Sequence, residues 1–217
     1  MAEISHGLQT PLTIMKGEVF LLKKAGVPQE SLKIFDASVD RVSSFINRLL
    51  SLSKVENSSK DMWSTFDLGL LLETVASLFK QTAEKCGITL LSSHHGHVPF
   101  FGNKDEIDEL ISNILSNAIK YIGNKSEKVV SLTSTINHNT VTITVTDSGI
   151  GLQKEDISHL FKKFSRIKSE ATKGVTGTGL GLAICEKIAH KHGGTVAVES
   201  VYGTGSTFTI QLPLQVK

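Results

Sequence analysis

The sequence predicts a helical hairpin followed by a two-layer α/β sandwich, on three observations. Apolar residues recur at helical spacing through residues 2–56. The polar stretch ENSSKD, 56–61, then breaks that pattern. Beyond it, strand-like and helix-like segments intermix without a regular βαβ period or an internal repeat. The expected organisation is a hairpin over 1–57, a linker over 58–66 and a second domain over 67–217. At 217 residues and 40% hydrophobic content, the chain can bury a substantial core.

The first helix carries Ile4, Leu8, Met15, Val19 and Leu22, and the second Leu32, Phe35, Val39, Val42, Ile46 and Leu49. The second set is spaced 3, 4, 3, 4, 3, which is bundle spacing. Between them AGVPQE, 25–30, reads as the turn of an antiparallel pair. Flanking apolar residues Leu12, Phe20, Phe45 and Leu52 would stay wet on a lone hairpin, so a second copy is expected to cover them, giving a four-helix-bundle homodimer. In the second domain, Trp63 and Phe66 lead into a helix near 68–85. A strand follows around 88–92, another at 98–101, a helix over 104–122, strands at 128–135 and 140–147, and an irregular glycine-containing region to 177. A helix at 179–192 and strands at 195–201 and 205–212 complete it.

Composition removes several function classes. Twenty-three Lys and Arg against 21 Asp and Glu give a net charge of +2, with no basic block to serve nucleic acid. Cys86 and Cys185 lie in apolar helix-like runs far apart, as expected of two buried, reduced thiols in a cytoplasmic protein. No run approaches the roughly 20 apolar residues of a membrane span and no signal peptide is evident, so no membrane contact is expected of these residues.

Candidate chemistry begins at SHGLQTPL, 5–12. Counting about 100° per residue, His6 lies roughly 200° from Ile4 and roughly 160° from Leu8, while Thr10 returns to within about 40° of His6. The two share a solvent-facing ledge, and Pro11 should bend the helix just beyond it. An ordinary exposed histidine beside a tolerated kink is the plainer reading of the helix alone.

In DEIDELISNILSNAIKY, Glu109, Asn113 and Asn117 follow one another at i,i+4, with Lys120 close by. Such a ridge is either a wet face or a set of amide oxygens for a hard cation that also touches phosphate. The strand TVTITVTDSGIG ends on Asp147, Gly149 and Gly151; a fixed carboxylate there accepts from an exocyclic amine, or the segment is a plain Asp-Ser-Gly turn. Gly177, Gly179 and Gly181 run into an apolar helix, where exposed amides and the helix dipole suit a polyphosphate. Neither GxGxxG nor GxxxxGK[ST] fits. Between the glycine groups lie six Lys or Arg against three acids, including Lys162, Lys163, Arg166, Lys168 and Lys173, with Phe161 and Phe164 as anchors. This segment reads as a lid over phosphate, or as a solubilising surface.

The histidines of SHHGH, His94, His95 and His97, read as a wet turn rather than a metal site, and His159, His190 and His192 as surface residues. Trp63 reads as packing that locks the linker onto the second domain.

Taken in order, SHGLQTPL, NILSNAIKY (113–121), DSGIG (147–151), LFKKF (160–164), GTGLGLAI (177–184) and GTGSTFTIQLP (203–213) resemble the catalytic core of a two-component sensor histidine kinase. The likeness covers nearly the whole chain. It implies a HisKA-type dimerisation and phosphoacceptor hairpin, then a Bergerat-type domain related to the ATP sites of Hsp90, gyrase and MutL. It further implies that His6 accepts the γ-phosphoryl group of ATP and that Thr10 assists hydrolysis of the phosphorylated partner, a response-regulator receiver domain. Asn113 and Asn117 would hold Mg²⁺, with Lys120 near phosphate and Tyr121 near the nucleotide. Asp147 would bind the adenine amine beside Gly149 and Gly151. Lys163 and Arg166 would belong to the lid, and Gly177, Gly179, Leu180 and Gly181 to its far end; Gly203 and Gly205 would be structural.

The chain departs from the family at Gly7, where an Asp or Glu normally follows the histidine, and at Gln9, where Arg is common. A carboxylate beside the imidazole holds its tautomer and takes its proton, and losing it costs on the order of 10²-fold in transfer rate. Glu3, one turn earlier on the same face, is a candidate substitute. The resemblance thus leaves three readings: an active kinase, a degenerate kinase serving as phosphatase or nucleotide-binding scaffold, and an ATPase outside phosphorelay, which would have no use for His6 and Thr10. With five residues ahead of His6, the expectation is a core taken from, or ending, a longer chain whose sensing part lies elsewhere.

Overall fold

Threonine alternating with valine and isoleucine gives residues 129–147 a period of two, and that period builds the central sheet. The computed structural model describes residues 29–57, 60–167 and 177–214, with Met15, Gly17, Leu22 and Thr172. The chain divides into two compact units between Glu56 and Asn57.

In the first unit, helix α1 spans Gln29–Asn57, and Met15, Gly17 and Leu22 are also helical. Leu32, Val39, Leu52 and Val55 are buried, whereas Phe35 and Val42 are 47% and 48% exposed. Leu52, expected on the wet flank, is covered; Phe35 and Val42, expected in the seam, are not. The rows 32/39 and 35/42 are offset by three residues, about 60° around the helix, and in a single chain only the first is covered.

The second unit opens with a 3-10 turn at Lys60–Met62. Its elements run β1 (Ser64–Asp67), α2 (Leu68–Lys85), β2 (Thr89–Ser93), β3 (Pro99–Gly102), α3 (Lys104–Lys120), β4 (Val129–Asn137), β5 (Thr140–Asp147), α4 (Lys154–Ile157), α5 (Gly181–Lys191), β6 (Thr195–Val201) and β7 (Gly205–Pro213). The sheet order is β2-β4-β5-β7-β6, parallel only at β2–β4. Val130, Leu132, Val141, Ile143, Val145, Ile210 and Leu212 are buried beneath α3 and α5, and α3 packs between α2 and α5. On the other face Thr133, Thr144 and Thr209 stand in register, half-buried. This is the expected two-layer sandwich.

Helix starts are fixed by side chains. Asp67 accepts from the Gly69 and Leu70 amides at 2.9 and 3.3 Å, and Asn103 from Asp105 and Glu106 at 3.1 and 3.3 Å. The Val98 amide and the His97 ring also donate to Asp67, and these bonds hold its carboxyl at about 2.

Residues 64–67, read from the sequence as a lead into α2, form β1 and pair antiparallel with β3, Phe66 opposite Phe100. Four residues carry too little period to announce a strand, and the pairing partner lies over 30 positions away. Cys86 is exposed at the end of α2, against the expectation of two buried thiols; Cys185 is buried.

His192, expected at the surface, is 1% exposed. It stacks on Trp63 with centroids 4.6 Å apart and planes 5° from parallel. Its Nε2 accepts from the Asn103 amide at 3.1 Å, so Nδ1 carries the proton and donates to Ile188 O at 2.8 Å. Both ring nitrogens are thereby committed in the neutral form. Burial pushes the imidazole below its ordinary value against the pull of the Ile188 bond and the Glu106 carboxylate. Replacing His192 by Ala removes the stack and strands the Asn103 amide, with an expected loss of about 3 kcal/mol at neutral pH. Urea denaturation followed through Trp63, the single tryptophan, measures it. Since the folded value lies below the unfolded 6.5, the wild type loses this contribution as pH falls below 6.5, and the gap to the variant should narrow with it. A gap that stays constant contradicts the neutral, buried ring.

Candidate functional site

The inward positions of β5 are Val141, Ile143 and Val145, and the next in that series is Asp147. Alternation therefore delivers a carboxylate to the core side at the end of a central strand, where it is 6% exposed. Burial raises its pKa, opposed by backbone bonds from Gly149 and Ser206 and by the charge of Lys125. The Gly149 amide donates to Oδ1 at 2.8 Å. One oxygen is thus anchored by its own turn, and the buried carboxylate is a directed hydrogen-bond acceptor.

The turn after Asp147 is fastened on both sides. The Ser148 amide donates to Val129 O, and Ser148 Oγ accepts from the Val129 amide, both at 3.0 Å. The Ile150 amide donates to Tyr121 O at 3.0 Å, fixing the turn to the C-cap of α3. A Cβ on Gly149 would lie 2.4 Å from Tyr121 O and 2.5 Å from Asp147 Oδ1, so only glycine fits there. Gly205 is held as tightly, since a Cβ there would lie 1.9 Å from Asp147 O. Gly151, at φ +64°, packs against Val201 O rather than against open space.

On α3 the interval of four residues puts Glu109, Asn113 and Asn117 on one half-buried ridge ending at Lys120 and Tyr121. The Lys120 ammonium lies 5.4 Å from the Tyr121 ring centroid. A Cβ on Gly177 would come within 3.0 Å of Lys120 Nζ, so the glycine segment passes directly over the end of the ridge. Asp147, Gly149, Tyr121, Lys120 and Gly177 accordingly form one continuous neighbourhood. Gly179, at φ +71°, accepts from the Phe164 amide at 2.9 Å, and buried Leu180 and Gly181 open α5 without a side-chain cap. A helix start without a side-chain cap among the described residues is of the kind that suits an anion. Lys163 and Arg166 are exposed on the segment ending at Phe164 and Ile167.

His6, Thr10, Gly7, Lys168 and Lys173 lie outside the described residues. Among those described, no three His, Cys, Asp or Glu side chains gather in a way that would hold a metal ion. On the ridge Asn113 and Asn117 carry amide oxygens beside the Glu109 carboxylate, donor types suited to a hard cation that keeps phosphate and water as its other ligands. No helix of the described residues is long and apolar enough to cross a membrane. Sequence reasoning missed the Ser206 amide and Lys125; the first is a backbone group that no motif advertises, and the second sits among ordinary polar loop residues.

Residues 102–216 match the family described as histidine kinase-, DNA gyrase B-, and HSP90-like ATPase, and residues 1–58 match the His Kinase A (phospho-acceptor) domain. Sensor histidine kinase RppB of Synechocystis is 33% identical over 98% of this chain and 48% of its own length. Hybrid signal transduction histidine kinase L of Dictyostelium discoideum is 31% identical over 96% of this chain and 13% of its own. The chain spans less than half of these relatives. The structure of the Acinetobacter baumannii histidine kinase AdeS superposes with TM-score 0.69 at 25% identity, over 97% of this chain and 98% of that one. Full-length ShkA, solved with AMPPNP, has the same fold over the whole chain and 46% of its own, with TM-score 0.80 at 24% identity.

A buried carboxylate with a raised pKa opposes folding at neutral pH. Asp147→Asn keeps the acceptor for Gly149 and removes the charge, so the variant should be the more stable near pH 7 in denaturant titrations. Its advantage should shrink as pH falls through the raised Asp147 value, because the wild-type carboxyl then takes up a proton in the folded state. An advantage that grows with acidity contradicts this assignment.

Proposed function

The chain belongs to the histidine kinase-, DNA gyrase B- and HSP90-like ATPase family, as a histidine-kinase core with a phospho-acceptor domain ahead of its ATPase domain, and on that premise we propose that it is an ATP-dependent protein-histidine kinase. ATP and Mg²⁺ are the cofactors of this family. His6 is the nucleophile, and the phosphoryl group passes onward to an aspartate of a response-regulator receiver domain. A homodimer through the N-terminal hairpins provides the frame for the reaction.

The observation that carries the reading is the meeting of a buried, amide-anchored Asp147 with the end of the asparagine ridge and the glycine segment before α5. Asp147 accepts from the exocyclic amine of adenine, a recognition that an apolar residue could not supply and that a protonated carboxyl, with one oxygen turned donor, supplies less well. The uncapped amides of α5, with Gly177, Gly179, Leu180 and Gly181, hold the phosphates, and Lys120 adds positive charge beside them. Asn113 and Asn117 hold Mg²⁺, which when bound neutralises charge on the transferring phosphoryl group. Lys163 and Arg166 cover the phosphates from the lid, and Tyr121 borders the nucleotide.

Transfer needs a neutral imidazole whose free lone pair attacks the γ-phosphorus in line as the bond to the ADP oxygen breaks. The other ring nitrogen must then release its proton. In this chain Gly7 offers no carboxylate for that proton, which favours slow autophosphorylation; a glycine there also weakens the helix by about 1 kcal/mol relative to Ala. Hydrolysis of the receiver's phosphoaspartate, assisted by Thr10, does not use that proton acceptor. A kinase with weak forward transfer that acts as phosphatase or nucleotide-binding scaffold is therefore the second reading.

Incubation with γ-labelled ATP and Mg²⁺ should place an acid-labile label on the wild type and none on His6→Gln. Unlabelled wild type that still binds ATP leaves the second reading; wild type that binds no ATP removes the kinase and the nucleotide-binding scaffold. Restoring the acid with Gly7→Glu should raise the labelling rate on the order of 10²-fold. An unchanged rate would show that proton removal is already served by another group.

A further inference from the structure

The adenine end proposed above is walled by backbone, and one half-exposed lysine spans its parts. The loop after α3 gives Tyr121 O to the Ile150 amide at 3.0 Å, Ile150 O accepts from the Gly203 amide at 2.8 Å, and Lys125 Nζ donates to Thr204 O at 2.8 Å. The circuit runs from the α3 loop to the 147–151 turn, to the tip between β6 and β7, and back to the same loop through Lys125. Gly205, beside that tip, has room for Asp147 O only because it lacks a Cβ, and the next residue, Ser206, lies opposite Asp147 and gives its amide to the carboxylate, which ties the carboxylate to the root of the tip.

We propose that Lys125 is a positioning residue for nucleotide binding, closing the circuit that sets where Asp147 meets the base. The proposal rests on the nucleotide-site reading and adds a residue to it. Lys125 does not touch the base; it acts through Asp147. The groups acting on that carboxylate are the Gly149 amide on its own turn, the Ser206 amide from β7 and the Lys125 ammonium from the α3 loop. Of these only Lys125 carries a full charge, so its removal leaves burial less opposed and favours the protonated carboxyl, which cannot accept from an amine with both oxygens.

The test is ADP·Mg²⁺ binding by calorimetry on the full chain, from about pH 4.5 to 8, for wild type, Lys125→Met, Lys125→Arg and Asp147→Asn. Lys125→Met should weaken binding roughly three- to tenfold, the range for one ordinary intramolecular hydrogen bond. It should also move the acidic midpoint of binding upward by roughly half a unit, and Lys125→Arg should restore both. Raising salt from about 50 to 500 mM should move the wild-type midpoint the same way by screening the ammonium, a reading that needs no variant. Wild type without ADP binding overturns the nucleotide site itself. If wild type binds and Asp147→Asn does not, three results overturn the Lys125 role alone: an unaltered Lys125→Met, an affinity loss with no midpoint shift or no rescue by Arg, or a midpoint insensitive to salt.

Discussion

A carboxylate occupies the position where the β5 alternation would otherwise place another aliphatic side chain, and the packing around it answers that single constraint. Asp147 is buried, so it needs donors; the donors are main-chain amides, so the backbone must come close; close approach excludes Cβ atoms, so Gly149 and Gly205 are required. The carbonyl of Tyr121 then holds the turn against α3, which carries the asparagine ridge. One buried charge thus couples the end of a strand, the end of a helix and the root of a hairpin. An aliphatic residue at 147 would need no amide donors.

The remainder of the second unit supports that arrangement from a distance. The Glu106–Lys191 pair, 2.6 Å apart and largely buried, joins the start of α3 to the end of α5. Next to it, His192 joins Asn103 to Ile188 through its two ring nitrogens and backs onto Trp63. These contacts hold the two helices that carry the ridge and the glycine segment in a fixed relation at the end remote from Asp147. A buried pair of this kind contributes more to geometric specificity than to stability, since desolvation offsets most of its Coulomb energy.

Much of this was legible in the sequence, for identifiable reasons. The strands β4, β5 and β7 alternate cleanly because one face meets helices and the other does not, so a period of two survives in the residues. The same period places Asp147 on the inner face without any structure, and the four-residue interval aligns Asn113 with Asn117. What stayed hidden depends on partners distant in the chain. The strand β1 exists because β3 pairs with it; His192 is buried because Trp63 and Asn103 cover it; neither fact leaves a local pattern. Cys86 misled in the opposite sense, since an apolar helical run does not say which face its last residue occupies. The separation of the α1 stripe into covered and exposed rows likewise depends on what lies alongside, which spacing alone does not encode.

The bond from the Phe164 amide to Gly179 O has an evolutionary corollary. It pins together two points fifteen positions apart in the sequence, so whatever chain runs between them begins and ends at one place on the scaffold. The entropy of closing such a stretch grows only with the logarithm of its length, about 0.6 kcal/mol for each doubling. Insertions, deletions and changes of charge between those anchors are therefore cheap for the sheet, which keeps its strand register regardless. Selection can retune the length of that stretch at little cost to the scaffold while the carboxylate and its glycines stay fixed.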